Sequence, residues 1–476
     1  MTTEPLRIAL ISEHASPLAA AGGVDAGGQN IYVSHVAQEL AAAGHHVDVL
    51  TRRDSTALPA VVHPSRGVRV LHVDAGPPSF VPKEQLLTHM PAFAENARRL
   101  LRAHETYDVL HANFFMSGWV GLALRLSFGV PLVTTFHALG LVRREHQGDA
   151  DQFPPERIGI ERALALRSDR VIAECPQDAD DLMRLYDALP ERIATVPCGV
   201  DTTVFRPGDK AAARRRLGLP PERFLVLQLG RLVPRKGIDN VIKALALLPR
   251  GPDAAQLMVV GGASTEPDER LTPEIGRLRG VTQAHGVSGQ VHFAGRRDRE
   301  QLRDWYLAAD VFVTTPWYEP FGITPLEAMA CGRPVIGSEV GGIKHTVVDG
   351  VTGFLVPPKD PWALAVRLSF LQCNPAMGAA MGRAGAHRVR RNYTWSQVAR
   401  QLAEVYAEVM QTREAAEAMR PRVPHLSLVP PVARPASAAN GSAKTAAQGI
   451  GPKTGAMAGQ APHLVAAAAQ FGSVAP

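Results

Sequence analysis

Cysteine is scarce in this chain of 476 residues. Its four cysteines, Cys175, Cys198, Cys331 and Cys373, are isolated, with no CxxC pair and no framework spacing. A disulfide scaffold and a thiolate metal site are therefore not expected; reduced packing thiols are. No apolar run approaches the roughly 20 residues that span a bilayer. Met1-Thr2-Thr3-Glu4-Pro5 lacks the basic start and apolar stretch of a signal peptide. A cytoplasmic protein is expected, with peripheral membrane contact left open. Acidic residues are missing from Ala418 to Pro476, where Arg420, Arg422, Arg434, Lys444 and Lys453 stand. These five bases carry most of the formal net charge of +6, so the rest of the chain is nearly neutral. Aromatics make up 6% and are not interleaved with a basic stripe, which argues against nucleic-acid binding. No cluster of Asp, Glu or His has metal-ligand spacing, and neither a metal nor another cofactor is expected. The sequence carries no signal for an oligomeric state.

What is present is a repeated alternation of short apolar runs with helical patterns. Ile8–Ile11, Val47–Leu50, Val68–Val73, Val109–Ala112, Leu132–Thr135, Val171–Ala173 and Ala194–Val196 read as buried strands. Between the first two lie the glycine-rich segment Gly22–Gly28 and a helix with Ile31, Val36, Ala37 and Leu40 on one face, stopped by Gly44. After a hinge from Pro197-Cys198-Gly199 to Arg206-Pro207-Gly208 the alternation restarts. Phe224–Leu229, Gln256–Val260, Val291–Ala294 and Val311–Thr314 are its strands and Ile238–Leu248 its first helix. Gly341-Gly342-Ile343 and Asp349–Val356 read as turns around a last strand pair. Apolar, β-branched strands alternating with helices imply doubly wound parallel sheets. The fold class is α/β, with two such domains, 1–206 and 207–393, facing across a cleft. Trp395, Val398, Leu402, Val405, Tyr406 and Val409 lie at helical spacing and predict an amphipathic helix over 394–412. The segment 413–476, dominated after Arg420 by Ala, Pro, Gly and Ser, is expected to be disordered.

The most informative run is Trp317 to Gly332. Glu319 stands in a Pro/Gly loop, and Glu327 falls eight positions later in the first turn of a helix. Thr324 as N-cap and Pro325 as first helical residue would aim backbone N–H groups at an anion such as a diphosphate. A carboxylate on each side could accept hydroxyl hydrogen bonds from a sugar and a ribose. Thr324-x-x-Glu327 also fits a capping box, so Glu327 has a structural reading as well; Glu319 has none. Gly230-Arg231 and Lys236-Gly237 follow the first strand of the second domain, at the edge where open α/β sheets bind ligands. Arg231 and Lys236 could clamp a diphosphate, whereas Arg235 reads as a solvated charge. Gly27-Gly28 opens the first helix and allows close backbone approach to a phosphate, but lacks the dinucleotide-binding spacing. His137 follows a strand at the same edge and reads equally as a structural residue or a polar contact.

Taken together, Glu319 and Glu327, Gly230-Arg231 with Lys236-Gly237, the Asp25–Asn30 loop, Phe136–Leu139 and Asp349–Val356 resemble a retaining glycosyltransferase of family 4. The resemblance runs from about Arg7 to Met410 and is strongest to the branch holding sucrose-phosphate synthase, sucrose synthase and inositol-phosphate glycosyltransferases. It implies the GT-B fold, a crossover helix packed on the first domain, no metal, and a nucleoside-diphosphate sugar held mainly by the second domain. It further implies that Arg231 and Lys236 hold the diphosphate, with Gly27 and Gly28 approaching from the first domain. Glu319 with Phe321, Gly322 and Ile323 would bind sugar hydroxyls, Glu327 the ribose, Arg296 the base through its backbone, and His137 the sugar near its reacting face. In inositol-phosphate relatives a Lys, Tyr, Thr and Arg bind the acceptor phosphate. Lys83 and Arg157 match, but Phe114 and Ala138 stand where Tyr and Thr would be. The expected activity is front-face, retaining transfer of a hexose, glucose from a UDP-linked donor, to a hydroxyl acceptor. A catalytically idle nucleotide-sugar-binding or scaffold protein is the alternative; a phosphorylase would need a pyridoxal-phosphate lysine that is not found.

Overall fold

A computed structural model describes residues 4–19, 27–103, 106–251 and 253–418. The first half builds an eight-stranded sheet from β1 (Arg7–Ile11), β2 (His46–Arg52), β3 (Val61–Ser65), β4 (Val68–Val73), β5 (Val109–Asn113), β6 (Leu132–Thr135), β7 (Arg170–Ala173) and β8 (Ile193–Thr195). Their order is β3-β4-β2-β1-β5-β6-β7-β8. All pairs are parallel except β3 with β4. The second half builds a six-stranded parallel sheet from β9 (Leu225–Leu229), β10 (Gln256–Val260), β11 (Val291–Gly295), β12 (Val311–Thr314), β13 (Val335–Ser338) and β14 (Gly353–Val356). Its order, β11-β10-β9-β12-β13-β14, reverses direction between β9 and β12. The first sheet reverses between β1 and β5. At such a switch point the loops leaving the two adjacent strands diverge to opposite faces and open a crevice at the strands' C-terminal ends.

The central strands are mostly apolar because both faces are covered; β5 and β9 are buried at every residue, the polar His111, Asn113 and Gln228 included. The expected strands are therefore found, with ends shifted by a residue or so: β8 begins at Ile193 and stops at Thr195. β3 is an addition. It is mostly exposed, pairs antiparallel at the edge and carries Pro64, which an edge strand tolerates because one side of its backbone faces solvent. β13 and β14 form the expected last strand pair, though β14 lies inside the Asp349–Val356 segment read as a turn. The helix expected over Ile238–Leu248 ends at Leu245.

All six apolar positions of the last helix are buried. The helix, Trp395–Ala418, packs on the helix Gly28–Ala42, where Trp395 stacks on His35 at 5.2 Å. Tyr406 OH pairs with His111 Nδ1 of β5 at 2.6 Å. The chain thus returns to the first sheet after completing the second. The helix runs past residue 412, so 413–418 are helical; the disorder expected for the tail concerns, from Met419 on, residues outside those described. No helix among the described residues is long and apolar enough to cross a membrane.

Candidate active site

A cavity of about 600 Å³ lies between the C-terminal edges of the two sheets. The second sheet's wall comes from the loops after β9 and β12. These are pinned to each other: Trp317 N–H donates to Arg235 O at 2.9 Å and Thr315 Oγ1 to Gly237 O at 2.9 Å. Gly237 has φ 65°, and a Cβ there would meet Thr315 O at 2.0 Å, so only glycine lets the loops close this tightly. Lys236 Nζ donates to Glu319 Oε2, and Arg235 Nη1 lies 3.8 Å from the same oxygen. Both partners of the Lys236–Glu319 pair are largely buried, at 17% and 14% exposed. Burial works to raise the Glu319 pKa, but the charges of Lys236 and Arg235 outweigh it and hold the carboxyl below its usual range. Burial pushes the Lys236 ammonium down to about 8 against the pull of Glu319.

Two expectations are corrected here. Glu319 does have a structural partner. Arg235 is not a solvated charge: it sits over the Tyr318 ring at 5.0 Å and lines the cavity. Arg231, by contrast, is exposed at the mouth.

The helix after β12 is Ile323–Ala330, capped by Gly322 at φ 92°, a left-handed conformation that glycine adopts without strain. Thr324 and Pro325 therefore lie inside the first turn. No described group accepts from the N–H of Phe321, Gly322, Ile323 or Thr324, and all four residues line the cavity with Lys236. Glu327 is not a capping partner. Its Oε2 accepts from Tyr306 OH at 2.8 Å and its Oε1 from Arg299 at 3.2 Å, and the residue is 2% exposed. Burial, its largest influence, raises its pKa. Both backbone groups of Arg296 are engaged, N–H by Ser264 O at 2.7 Å and C=O by Arg297 at 2.8 Å. Phe321, Gly322, Ile323, Arg296 and Glu327 all line the cavity nonetheless.

The first sheet's wall is built from strand ends. Gly27 caps the helix Gly28–Ala42, and a methyl added at Gly28 would meet Ile323 of the opposite wall at 3.5 Å. His137 follows β6 with φ 59°, a left-handed backbone costly for a residue with a Cβ. Its ring is held at both nitrogens, Nδ1 by Glu174 Oε1 at 2.9 Å and Nε2 by Asn113 Oδ1 at 3.0 Å. Lys83 lines the cavity, 3.4 Å from Glu84. Arg157 does not. It is 1% exposed, paired with Glu161 at 2.7 Å, and covered by the rings of Phe114 and Phe153 at 5.0 and 4.5 Å, which line the cavity in its place. The guanidinium that does line this wall is Arg143, held by Asp151 at 2.9 Å.

Sequence reasoning missed Glu174, Arg143, Arg299 and Tyr306. Glu174 was within reach, since it follows Val171-Ile172-Ala173 just as His137 follows β6. The other three lie within helices, where no local pattern marks them.

Family models match both halves: "Glycosyltransferase Family 4" over residues 26–204 and "Glycosyl transferases group 1" over 209–388. The D-inositol 3-phosphate glycosyltransferase 1 of Catenulispora acidiphila is 41% identical over 86% of this chain and 97% of its own length. The chain belongs to glycosyltransferase family 4. As a family 4 glycosyltransferase it has the GT-B architecture, in which two Rossmann-like sheets face each other. A D-inositol 3-phosphate glycosyltransferase of Streptomyces bingchenggensis is 39% identical over 85% of the chain and 90% of its own length. The solved sucrose-phosphate synthase of Thermosynechococcus elongatus is 37% identical with a TM-score of 0.78, covering 86% of this chain and 100% of that one. Anabaena Alr3699/HepE, solved with UDP and glucose, shares the fold at 22% identity and TM-score 0.65, over 85% and 100% of the two chains.

Proposed function

We propose that this glycosyltransferase moves a hexose, glucose from a UDP-linked donor, to a hydroxyl acceptor with retention of anomeric configuration and without a metal. The observation that carries the reading is the second wall, where Lys236, Arg231 and four residues whose backbone N–H groups have no described acceptor line the same cavity. Such a preorganised set of donors and positive charges suits the diphosphate leaving group, whose charge grows as the glycosidic bond breaks. Segment 207–393 would hold the donor, with Glu319 and the Phe321–Ile323 backbone at the sugar, Glu327 near the ribose and Arg296 near the base. Segment 1–206 would hold the acceptor, with His137 near the reacting face and Lys83 on its wall. The leaving diphosphate would help to take the acceptor proton, the front-face course. UDP and glucose bound to Alr3699/HepE support the donor; the relatives' names support an alcohol acceptor.

A thermal-shift screen of UDP-, GDP- and ADP-sugars in EDTA tests the reading, since a ligand of the native state raises its stability by mass action. UDP-glucose is expected to give the largest shift and slow release of UDP. A UDP-glucose shift without release of UDP, with or without acceptors, would favour the idle-binder alternative.

A further inference from the structure

Glu174 begins the turn after β7, at the sheet edge that also carries His137 and Asn113. It is 3% exposed yet lines the cavity. The two hydrogen bonds to its carboxylate fall on one oxygen: Oε1 accepts from His137 Nδ1 at 2.9 Å and from the Cys198 thiol at 3.1 Å. No described group bonds Oε2. The backbone N–H of Glu174 donates to Asp178 Oδ2 at 3.0 Å. Burial works to raise the Glu174 pKa, but the charge and hydrogen bond of His137, with the Cys198 thiol, hold it below its usual range. Neighbouring Asp178 is pushed up to about 8, first by burial and then by the charge of Glu174. Of these two acids, Glu174 keeps the negative charge, and environments that push neighbouring acids apart mark a division of labour.

Building on the donor reading above, we propose that Glu174 is a catalytic carboxylate whose open oxygen stabilises positive charge at the anomeric carbon of the transferred sugar. The bond from that carbon to the diphosphate oxygen breaks, and its electron pair leaves on the diphosphate. The acceptor oxygen then bonds the carbon, and its proton passes to a diphosphate oxygen. Glu174 neither gives nor takes a proton. Its charge opposes the oxocarbenium character that glycosyl transfer develops, while His137 fixes the carboxylate through the other oxygen. The two walls then divide the work, cations meeting the leaving group and an anion meeting the sugar.

The experiment compares Glu174→Gln, Glu174→Asp and Glu174→Ala for UDP-glucose hydrolysis and transfer, UDP-glucose-induced melting shift, and rescue of the Ala variant by formate. Glu174→Gln keeps the shape and an acceptor for His137 but loses the charge. It should lower kcat on the order of 100-fold with the donor-induced shift unchanged. Glu174→Asp should recover part of the rate. Formate, but not chloride, should raise the rate of Glu174→Ala. A Gln variant within about threefold of the parent kcat, a loss confined to donor affinity or melting temperature, or no rescue by formate would each overturn the assignment. Failure of the donor reading itself would show in the unaltered enzyme, which would then neither bind nor hydrolyse UDP-glucose.

Discussion

The two walls of the cavity use charge in opposite ways. On the second wall three cations, Arg231, Arg235 and Lys236, stand within one short loop, and Lys236 shares its carboxylate partner with Arg235. Positive groups outnumber the acid there, and four N–H groups add to them. On the first wall Arg143 has its own carboxylate, Asp151, and behind that wall Arg157 has Glu161 and is sealed under aromatic rings. Surplus positive charge at a concave surface attracts an anion; matched buried pairs hold the scaffold and leave little for a ligand. The difference separates a wall with surplus positive charge from one whose charges are mostly paired.

The sharpest way to break this comparison is to remove cations from each wall in turn. Arg231→Ala and Lys236→Ala should each lower turnover on the order of 100-fold, by loss of a preorganised partner of the leaving group. They should differ in stability. Lys236→Ala leaves Glu319 without its closest cation and should cost about 3 kcal/mol in urea unfolding; Arg231→Ala, at an exposed position, should cost far less. Near-parental turnover in both would end the diphosphate assignment.

Arg157→Met tests the other wall. It strands Glu161, which is fully buried, and should cost about 3 kcal/mol while UDP-glucose hydrolysis per folded molecule stays unchanged. Lost hydrolysis at full stability would mean that the pair is part of the binding surface. Glu327→Ala should also cost about 3 kcal/mol rather than the roughly 1 kcal/mol of a lost helix cap, and should weaken donor affinity. A small loss would restore the capping view.

A pH series sharpens the contrast further. The Lys236 ammonium, pushed by burial from 10.5 to about 8, would have to be charged to hold the proposed diphosphate. Activity as kcat/KM should therefore fall above about pH 8, and Lys236→Arg should remove that limb. Stability should move the other way. Between pH 8 and 10.5 the unfolded chain binds the proton that the fold releases, so this group's contribution to stability rises across that window. A kcat/KM limb unchanged in Lys236→Arg would assign it to another group. The smallest effect is expected from metal removal: exhaustive EDTA should leave the rate unchanged, and an absolute metal requirement would mean the cationic wall has been misread.

Much of the architecture was legible because its signals are local. Runs such as Ile8–Ile11 and Val171–Ala173 are apolar throughout, and only a strand covered on both faces can bury them so. The loop Gly230–Gly237 and the Glu319–Glu327 spacing were equally readable, since a ligand-binding turn and the helix after it are contiguous in sequence. The strand-end rule that singled out His137 applies equally to Glu174, which follows the neighbouring strand β7 at the same sheet edge.

By itself, then, the sequence determined two doubly wound sheets, the crossing helix and the cluster of groups on the second wall, because periodicity and turn chemistry act over a few residues. Tertiary structure alone decided which polar groups satisfy one another. Glu327 looks toward its own helix start in sequence but binds Tyr306 and Arg299. Arg157 looks like a phosphate ligand but finds Glu161 and three phenyl rings. Glu174 meets His137 from a separate strand. A buried charge must find a partner at whatever sequence distance the fold supplies one, and that choice is written in the packing of the elements, not in any one of them.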